Sequence, residues 1–592
     1  MSSSSTQRAE LAARVAGLSN LLRVALVVVA IGYWMVQVAR GEHYRALAED
    51  NRLREVSIEA SRGLLRDRAD RALTENVPSY GLWVDGTRIK DGASTLAFVE
   101  SVLDGPPDEL SERAAAADRS PRPVRLASGL SLEELSRIAV RQLEHPELEV
   151  RAEHRRLYRY AHQTAHLLGY LGEVDSAQIA RSGSSYRGGD QVGKRGLERQ
   201  YEASLRGTRG EQVVVVDSHG QTVNELGREP ALPGVDLVTT LDLDLQQEAA
   251  RQLEGKVGAI VAMDPRTGGI LAMVSAPSFD PNLFARGLSR DDWKALTHDP
   301  RKPLQNRAIQ NTYPPGSVFK IVMAAAGLEL NQLDPAERVF CGGWSRIYGH
   351  RYRCHNAAGH GWVDLEGALR ESCNVYFHQL GQRLGIDIIA DFSHRFGFGA
   401  RTGIDLPGEK AGLVPSSAWS LEARGTRWYP GETISVATGQ GPILVTPLQV
   451  ATMLSAVATG GALPTPHLVG GPSPGGLPDI EPRHLERIRD ALWSVVEHPR
   501  GTGRAADLAE LEIAGKTGTA QVVRQETWTS NDELAAEHRD HAWFASFAPV
   551  DDPQLVVVVF VEHGGGGSKA AAPLARALYA KYFGIASSPL GG

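Results

Sequence analysis

A serine and a lysine three residues apart, Ser317 and Lys320, can act as a nucleophile and its base. They lie in YPPGSVFK, residues Tyr313 to Lys320. Two prolines and a glycine exclude a helix before Ser317, and the apolar residues from Val318 to Val322 continue as one. Ser317 then falls in the first helical turn, where free backbone N–H groups and the positive dipole end favour developing negative charge. Positions i and i+3 share a helix face, so Lys320 is expected to reach Ser317 Oγ. A Lys gives up its proton when burial and neighbouring cations lower its pKa, and Arg does not. The chain has ten Lys against 53 Arg, and among the ten only Lys320 has Ser three positions before it. A capping Ser followed by a snorkelling Lys would give the same spacing, so the pair alone decides nothing.

Two further patterns decide it. Among the asparagines only Asn374 has Ser two positions before it, in Ser372-Cys373-Asn374. Among the lysines only Lys516 is followed by Thr-Gly, in Lys516-Thr517-Gly518-Thr519. The first follows the helical segment DLEGALRESCN, and the second lies on the apolar strand LEIAGKTGTAQVV. A glycine in that strand, Gly518, lets a substrate backbone lie along the sheet edge as an added strand. Lys516 supplies a cation for a substrate carboxylate and for tuning Lys320. A turn explains Ser-x-Asn alone, and a bulged strand explains Lys-Thr-Gly alone. Neither explains all three in order, each unique in the chain.

These residues need a framework. At 592 residues the chain is too long for one core. It is 42% hydrophobic and 22% charged, an ordinary globular balance, and a net charge of -7 gives no support to nucleic-acid binding. Residues 1–20 read as a cytoplasmic tail with a disordered tip at Ser2 to Ser5, and 21–39 as a transmembrane helix with Tyr33 and Trp34 at an interface. A signal-peptide cleavage rule is met at Ala46-Leu47-Ala48, but charges separate it from the apolar run, which favours an uncleaved anchor. Arg residues flank both ends of the span, while about 550 residues follow it. Large domains translocate regardless of flanking charge, so the body is expected outside the cytoplasm. Residues 40–240 read as an extended, charged α/β pedestal, with a helical pattern over Leu110 to Leu143 and a strand at Glu211 to Asp217. From 241 to 592 apolar strands alternate with helices. Hairpins at VGAIVAMDPRTGGILAMVSAPS and HAWFASFAPVDDPQLVVVVFVEHG, and the closing helix AAAPLARALYAKYF, imply an α+β fold with one antiparallel sheet flanked by helices.

With Ser-x-x-Lys, Ser-x-Asn and Lys-Thr-Gly in place, the chain resembles the class B penicillin-binding proteins, the monofunctional peptidoglycan transpeptidases. SRGLLRDR, Ser61 to Arg68, is similar to the family's pedestal signature; HLLGYLGEV and GKRGLERQYEASLRGTRG are similar to its linker; ATGQGPILVTPLQVA is similar to a helix entry in the catalytic domain. NRAIQNTYPPGSVFK is similar to the elongation-type penicillin-binding protein 2, with Asn311 and Val318 departing from the Gly and Thr expected there. The division-type branch shares the chemistry. The resemblance implies that Ser317 attacks the penultimate D-Ala carbonyl of a stem peptide and that Lys320 takes its proton. Ser372 and Asn374 serve the leaving group and hold the peptide. Lys516 and Thr517 bind the terminal carboxylate, and the N–H groups of Ser317 and Thr519 form an oxyanion hole. Catalysis needs no cofactor. β-Lactams would acylate the same serine. No glycosyltransferase domain fits before residue 240, so the resemblance implies a SEDS-type glycosyltransferase partner such as RodA, with other elongation-complex proteins, at the inner (cytoplasmic) membrane. A β-lactamase is disfavoured, since nothing resembles its deacylating Glu. A non-catalytic β-lactam sensor usually has several membrane spans, and one is found.

The three cysteines, Cys341, Cys354 and Cys373, fall within 33 residues, with His350, His355 and His360 in the same stretch. Three readings stay open: a structural zinc on Cys341, Cys354, His360 and Cys373, a Cys341–Cys354 disulfide, or free thiols. Metal in some relatives favours His360. Cys373, between two cleft residues, is expected to point away from the cleft. The membrane reading is checked directly: N-terminal sequencing of the mature protein is expected to find the original N-terminus, whereas a chain beginning at Glu49 would refute the anchor.

Overall fold

The computed structural model describes residues 3–43, 53–103, 110–111, 114–115, 123–181, 186–216, 222–471, 475–522 and 531–586. Ala46-Leu47-Ala48 and Asp217 lie outside them. The chain forms two compact units, 1–62 with 206–234 and 63–205 with 235–592. This division cuts differently from the compositional shift near residue 240.

The first unit holds an α-helix, Ser3–Trp34, that continues as the π-turn Met35–Ala39. Within Ala9–Ala39 an 18-residue window has a mean hydropathy of 2.0 and no buried residue, which suits lipid rather than a protein core. Ser3 to Ser5 belong to this helix, correcting the expected disordered tip; nothing in their sequence interrupts the helical run that follows. The unit also holds an antiparallel sheet of Leu53–Ile58, Gly210–Val216 and Thr222–Glu229.

The second unit begins at Gly63, inside the Ser61-to-Arg68 signature, and the job of the signature's later residues is local. Asp67 is fully buried and accepts from the backbone of Ala69 and Arg71 and from the Arg71 guanidinium. A small sheet follows, with Thr74–Val84 between Val124–Ser128 and Leu148–Tyr158. Helices Gly92–Val102 and Leu132–Arg141 cover it, giving a minor core around Leu82, Phe98, Val99 and Ile138. The helical pattern over Leu110 to Leu143 is therefore only partly realised: Val124–Ser128 is a strand, because pairing with Thr74–Val84 overrides its local preference, and 112–113 and 116–122 lie outside the described residues. Linker helices Ala161–Leu168 and Gly196–Gln200 join this layer to the rest. The buried Arg156–Glu198 ion pair, 2.8 Å, ties strand to linker.

The catalytic-type domain is built on β1 (Gly258–Met263), β2 (Ile270–Ala276), β3 (Ala514–Ala520), β4 (His541–Ala548) and β5 (Leu555–Val561), in the order β2-β1-β5-β4-β3, all antiparallel. Every residue of β1, β2 and β5 is buried. Runs such as LVVVVFV read as continuous rather than alternating because both faces are covered. One face meets Leu243–Gln252 and the last helix, Ala572–Phe583. The other meets α1 (Lys320–Glu329), α2 (Leu365–Arg370), α3 (Asn374–Leu384), α4 (Pro447–Thr459) and α5 (Pro482–Glu497). β3 is the edge strand, and the three motifs converge beside it.

Candidate active site

Ser317 lies in a 3₁₀ turn, Gly316–Phe319, that leads into α1. The helix starts three residues later than the sequence pattern placed it, because Pro314, Pro315 and Gly316 fix a tight entry. Gly316 has φ +54, and a Cβ there would lie 2.6 Å from the Thr519 carbonyl. Its N–H donates to Gly439 O at 2.9 Å, and Gln440 donates its side-chain N–H to Thr519 O at 3.0 Å. Three backbones thus cross with no room for a side chain, which explains Gly439 of ATGQGP, where a Cβ would lie 2.0 Å from Gly316 O. Gly518 also meets a constraint within the protein: a Cβ there would meet Val318 and Trp543 at 3.0 and 2.9 Å. Its bareness seats the nucleophile turn against β3.

Lys320 and Lys516 are both fully buried, although β3 is an edge strand. Lys320 Nζ donates to the Ser372 carbonyl at 2.8 Å, to Asn374 Oδ1 at 2.7 Å and to Ser372 Oγ at 3.2 Å. Lys516 Nζ lies 2.9 Å from the same Ser372 Oγ and 3.0 Å from Thr517 O. Residues from three motifs therefore share one hydroxyl, with Lys320 52 positions before Ser372 and Lys516 144 after it. The expected direct Lys320–Ser317 hydrogen bond is not among these contacts: Lys320 is turned towards Ser372 and Asn374, whose oxygens compete for its protons. Ser317 Oγ has no hydrogen-bond partner among the described residues, and the residue is half-buried.

Electrostatics follow from burial. Lys320 is lowered to about 8, chiefly by desolvation and against the pull of the nearby Cys354, Cys373 and Cys341 sulfurs. Lys516 is pushed well down by burial and then by the Lys320 charge. Two buried amines around one hydroxyl cannot both hold a proton cheaply. Ser372 itself sits at φ +57, a left-handed conformation that costs a non-glycine residue about 1–3 kcal/mol. That conformation turns both its carbonyl and its hydroxyl towards Lys320.

Several supports carried no sequence signal. Tyr313 donates its hydroxyl to Glu562 Oε1 at 2.6 Å, and Arg307 Nε reaches the same oxygen at 2.8 Å. Trp543 Nε1 donates to Pro314 O at 3.1 Å. Thr517 Oγ1 donates to Thr502 Oγ1 at 2.8 Å. These partners are far apart in the chain, and no short motif encodes such pairs.

Behind Asn374 lie the three cysteines, all buried and all free, so the Cys341–Cys354 disulfide is not formed. The sulfurs and a nitrogen of His360 lie within 4.8 Å of one another. Cys373 points away from the cleft, as expected, into this group. Cys354 Sγ accepts the Asn374 backbone N–H at 3.3 Å, and Asn374 Nδ2 reaches Arg353 O at 3.4 Å. Hydrogen bonding from Cys373 holds Cys354 low against the opposing effect of burial, while hydrogen bonding to Cys341 and Cys354 and then burial push Cys373 up. Three soft sulfurs and one imidazole converging on a point fit a tetrahedral zinc ion.

Comparison with known proteins agrees with this geometry. Residues 258–580 match the penicillin binding protein transpeptidase domain, and 57–239 match the penicillin-binding protein dimerisation domain. The peptidoglycan D,D-transpeptidase MrdA of Haemophilus influenzae is 35% identical over 567 residues, 92% of this chain and 87% of that protein. The Helicobacter pylori penicillin-binding protein PBP2, solved in complex with MreC, superposes with a TM-score of 0.82 at 28% identity, over 90% of this chain and 99% of that one. A structure described as the structural coordination of polymerization and crosslinking by a peptidoglycan synthase complex contains a chain 33% identical, with a TM-score of 0.70 over 97% of this chain and 99% of that one.

The lowered Lys320 has a measurable consequence. A base acts only when unprotonated, so acylation by labelled penicillin is expected to rise with pH through about 8 and then level. Lys320→Arg is expected to slow acylation at least about 10²-fold and to flatten that profile. A near-normal rate in the variant would mean that the base lies elsewhere.

Proposed function

The chain belongs to the penicillin-binding protein transpeptidases, and on that premise we propose that it is an elongation-type peptidoglycan D,D-transpeptidase acting through an acyl-enzyme on Ser317. The observation that carries this reading is the shared hydroxyl: Lys320, Lys516 and Asn374 all meet around Ser372, next to an uncommitted Ser317. Ser317 Oγ attacks the carbonyl of the penultimate D-Ala, and its proton passes to Lys320 Nζ. The Ser317 and Thr519 N–H groups hold the oxyanion, since the first turn of a 3₁₀ segment leaves its N–H groups without internal partners. The C–N bond to the terminal D-Ala then breaks, and the leaving amine takes a proton relayed by Ser372 Oγ between the two lysines. Asn374 holds the stem peptide, which lies along β3 beside Gly518, while Lys516, Thr517 and Thr519 receive its carboxylate end. An amine from a neighbouring stem peptide resolves the ester, forms the cross-link and frees Ser317.

Cys341, Cys354, Cys373 and His360 would hold a structural zinc ion; four protein ligands leave no open position for chemistry. Because Cys354 also accepts the Asn374 N–H, the cluster braces the Ser372–Asn374 segment. The chain is anchored in the cytoplasmic membrane by its single long apolar helix, with the catalytic body outside the cytoplasm. Glycan polymerisation comes from a partner, a SEDS-type glycosyltransferase of the RodA kind, working with other elongation proteins. A relative solved with MreC and a relative within a peptidoglycan synthase complex support such assemblies.

Two measurements test this. Labelled penicillin is expected on Ser317, and a folded Ser317→Ala protein that labels normally would remove the assignment. Elemental analysis is expected to find about one zinc per chain, with chelation lowering both thermal stability and acylation rate, because metal binding is linked to local folding. A metal-free protein with full activity would sink the zinc proposal and leave the serine chemistry intact.

A further inference from the structure

Away from the nucleophile, a cavity of about 410 Å³ lies where the linker helices meet the segment leading to Ser317. Its walls come from Ala161–Leu168 and Gly196–Gln200 on one side and from 304–310 and 406–410 on the other. That volume is within the range of small-molecule sites. The chain is net acidic, at -7, yet the sixteen residues lining this cavity include four cations, Lys194, Arg195, Arg199 and Lys410, and no carboxylate.

The cations are unevenly used. Lys194 donates to Gln178 Oε1 at 2.6 Å and approaches Asp175 at 3.5 Å. Arg195 gives one N–H to Leu304 O at 2.9 Å, leaving the rest of its fork. Among the described residues, the side chains of Arg199 and Lys410 have neither a hydrogen bond nor an ion pair. Asn306 is 5% exposed; its backbone N–H donates to Gln310 and its Oδ1 accepts from Ala308, while its Nδ2 has no partner among the described residues. His166, on the wall, is held neutral, lowered to about 4 by burial and then by the Arg307 and Arg195 charges. The lining thus offers donors and positive charge, and no anion to meet them.

The backbone that carries two of these cations is held in place. Arg195 is the extended N-cap of the short helix Gly196–Gln200, and the Arg199 N–H donates to Arg195 O at 3.2 Å, so the two side chains leave one turn. The chain between them is tightly packed: a Cβ on Gly196 would sit 2.4 Å from Gly169 N. Lys410 approaches from the second wall. Arg forks match phosphate oxygens two at a time, and two forks with one ammonium balance a multiply charged anion better than a single carboxylate.

We propose that this cavity binds a pyrophosphate-class anion, with Arg195, Arg199 and Lys410 as its charged contacts and Asn306 Nδ2 as a neutral donor. Free pyrophosphate and the head of a lipid-borne pyrophosphate share this chemistry. The proposal stands apart from the acyl-transfer site and does not depend on it.

Calorimetric titration of the full chain in detergent with inorganic pyrophosphate tests it. One ion per chain is expected, with affinity falling as salt rises. Arg199→Ala and Lys410→Ala are each expected to weaken binding about tenfold or more, the scale of a lost charge-assisted hydrogen bond. Both residues are exposed, so unchanged thermal midpoints are expected, and Lys581→Ala on the last helix serves as an unaffected control. Absence of saturable binding, or binding undiminished in the Arg199→Ala/Lys410→Ala double variant, overturns the proposal. Citrate binding as tightly as pyrophosphate overturns the phosphate class. Farnesyl pyrophosphate in the same micelles separates the sources: tighter binding than inorganic pyrophosphate supports a lipid-borne ligand, and equal binding supports the free anion.

Discussion

Two lysine amines buried around one serine hydroxyl set the terms for the rest of this structure. Taking an ammonium out of water costs several kcal/mol even after the protein relaxes. Lys320 and Lys516 meet that cost together, on opposite sides of Ser372 Oγ. A hydroxyl has one proton and two lone pairs, so it can accept from one amine while donating to the other. The pair is therefore most stable when at least one amine is neutral, which is the state a base requires. The same burial that destabilises the charge prepares the chemistry.

Holding that arrangement consumes backbone freedom elsewhere. Ser372 is kept in a left-handed conformation, and the crossing of Gly316, Gly439 and Thr519 leaves no space for a side chain. Such strain persists only where the surroundings over-determine it. Here they do. Below the nucleophile turn, Tyr313 and Arg307 converge on Glu562, and Trp543 holds Pro314. Beside Asn374, the sulfur cluster receives the backbone N–H that begins α3. Neither support touches the reacting atoms, yet each fixes one side of the cleft.

Much of this was legible in the sequence because it is local. Ser-x-x-Lys, Ser-x-Asn and Lys-Thr-Gly each encode a short piece of geometry, and the fully apolar strands announce a sheet covered on both faces. The Cys and His spacing also gathers as expected, since most of its members lie on one loop. What stayed hidden is long-range. Arg307 and Glu562 are 255 positions apart, and nothing near either one marks the pair. The strand Val124–Ser128 was masked by helical periodicity, because its pairing partner lies far upstream. The packing of Gly518 against the nucleophile turn also carried no signal, because Val318 and Trp543 are distant in sequence. The Lys320–Ser317 contact failed for a related reason: helix spacing says which residues share a face, not which oxygens a lysine prefers once Ser372 and Asn374 arrive.

The segment from Gln305 to Tyr313 shows how these scales join. Asn306, Arg307, Ala308 and Ile309 are buried in a row, and Arg307 ends on the carboxylate that also holds Tyr313. Asn306 and Ile309 also line the basic cavity, with Gln305 and Gln310. One short irregular stretch therefore serves both the core and the cavity. An irregular stretch is ordinarily loose, since its backbone groups lack ladder partners. This one is pinned by scattered backbone bonds, Lys410 N–H to Ile309 O, Leu448 N–H to Ala308 O and Tyr313 with Val445 in both directions, and by side chains, with Asn306 bonded to Ala308 and Gln310 to the Asn306 N–H. A displacement at the cavity wall would have to break those bonds or move Arg307. The nucleophile turn is thus coupled to the linker through covalent neighbours, and its rigidity depends on residues that never meet the substrate.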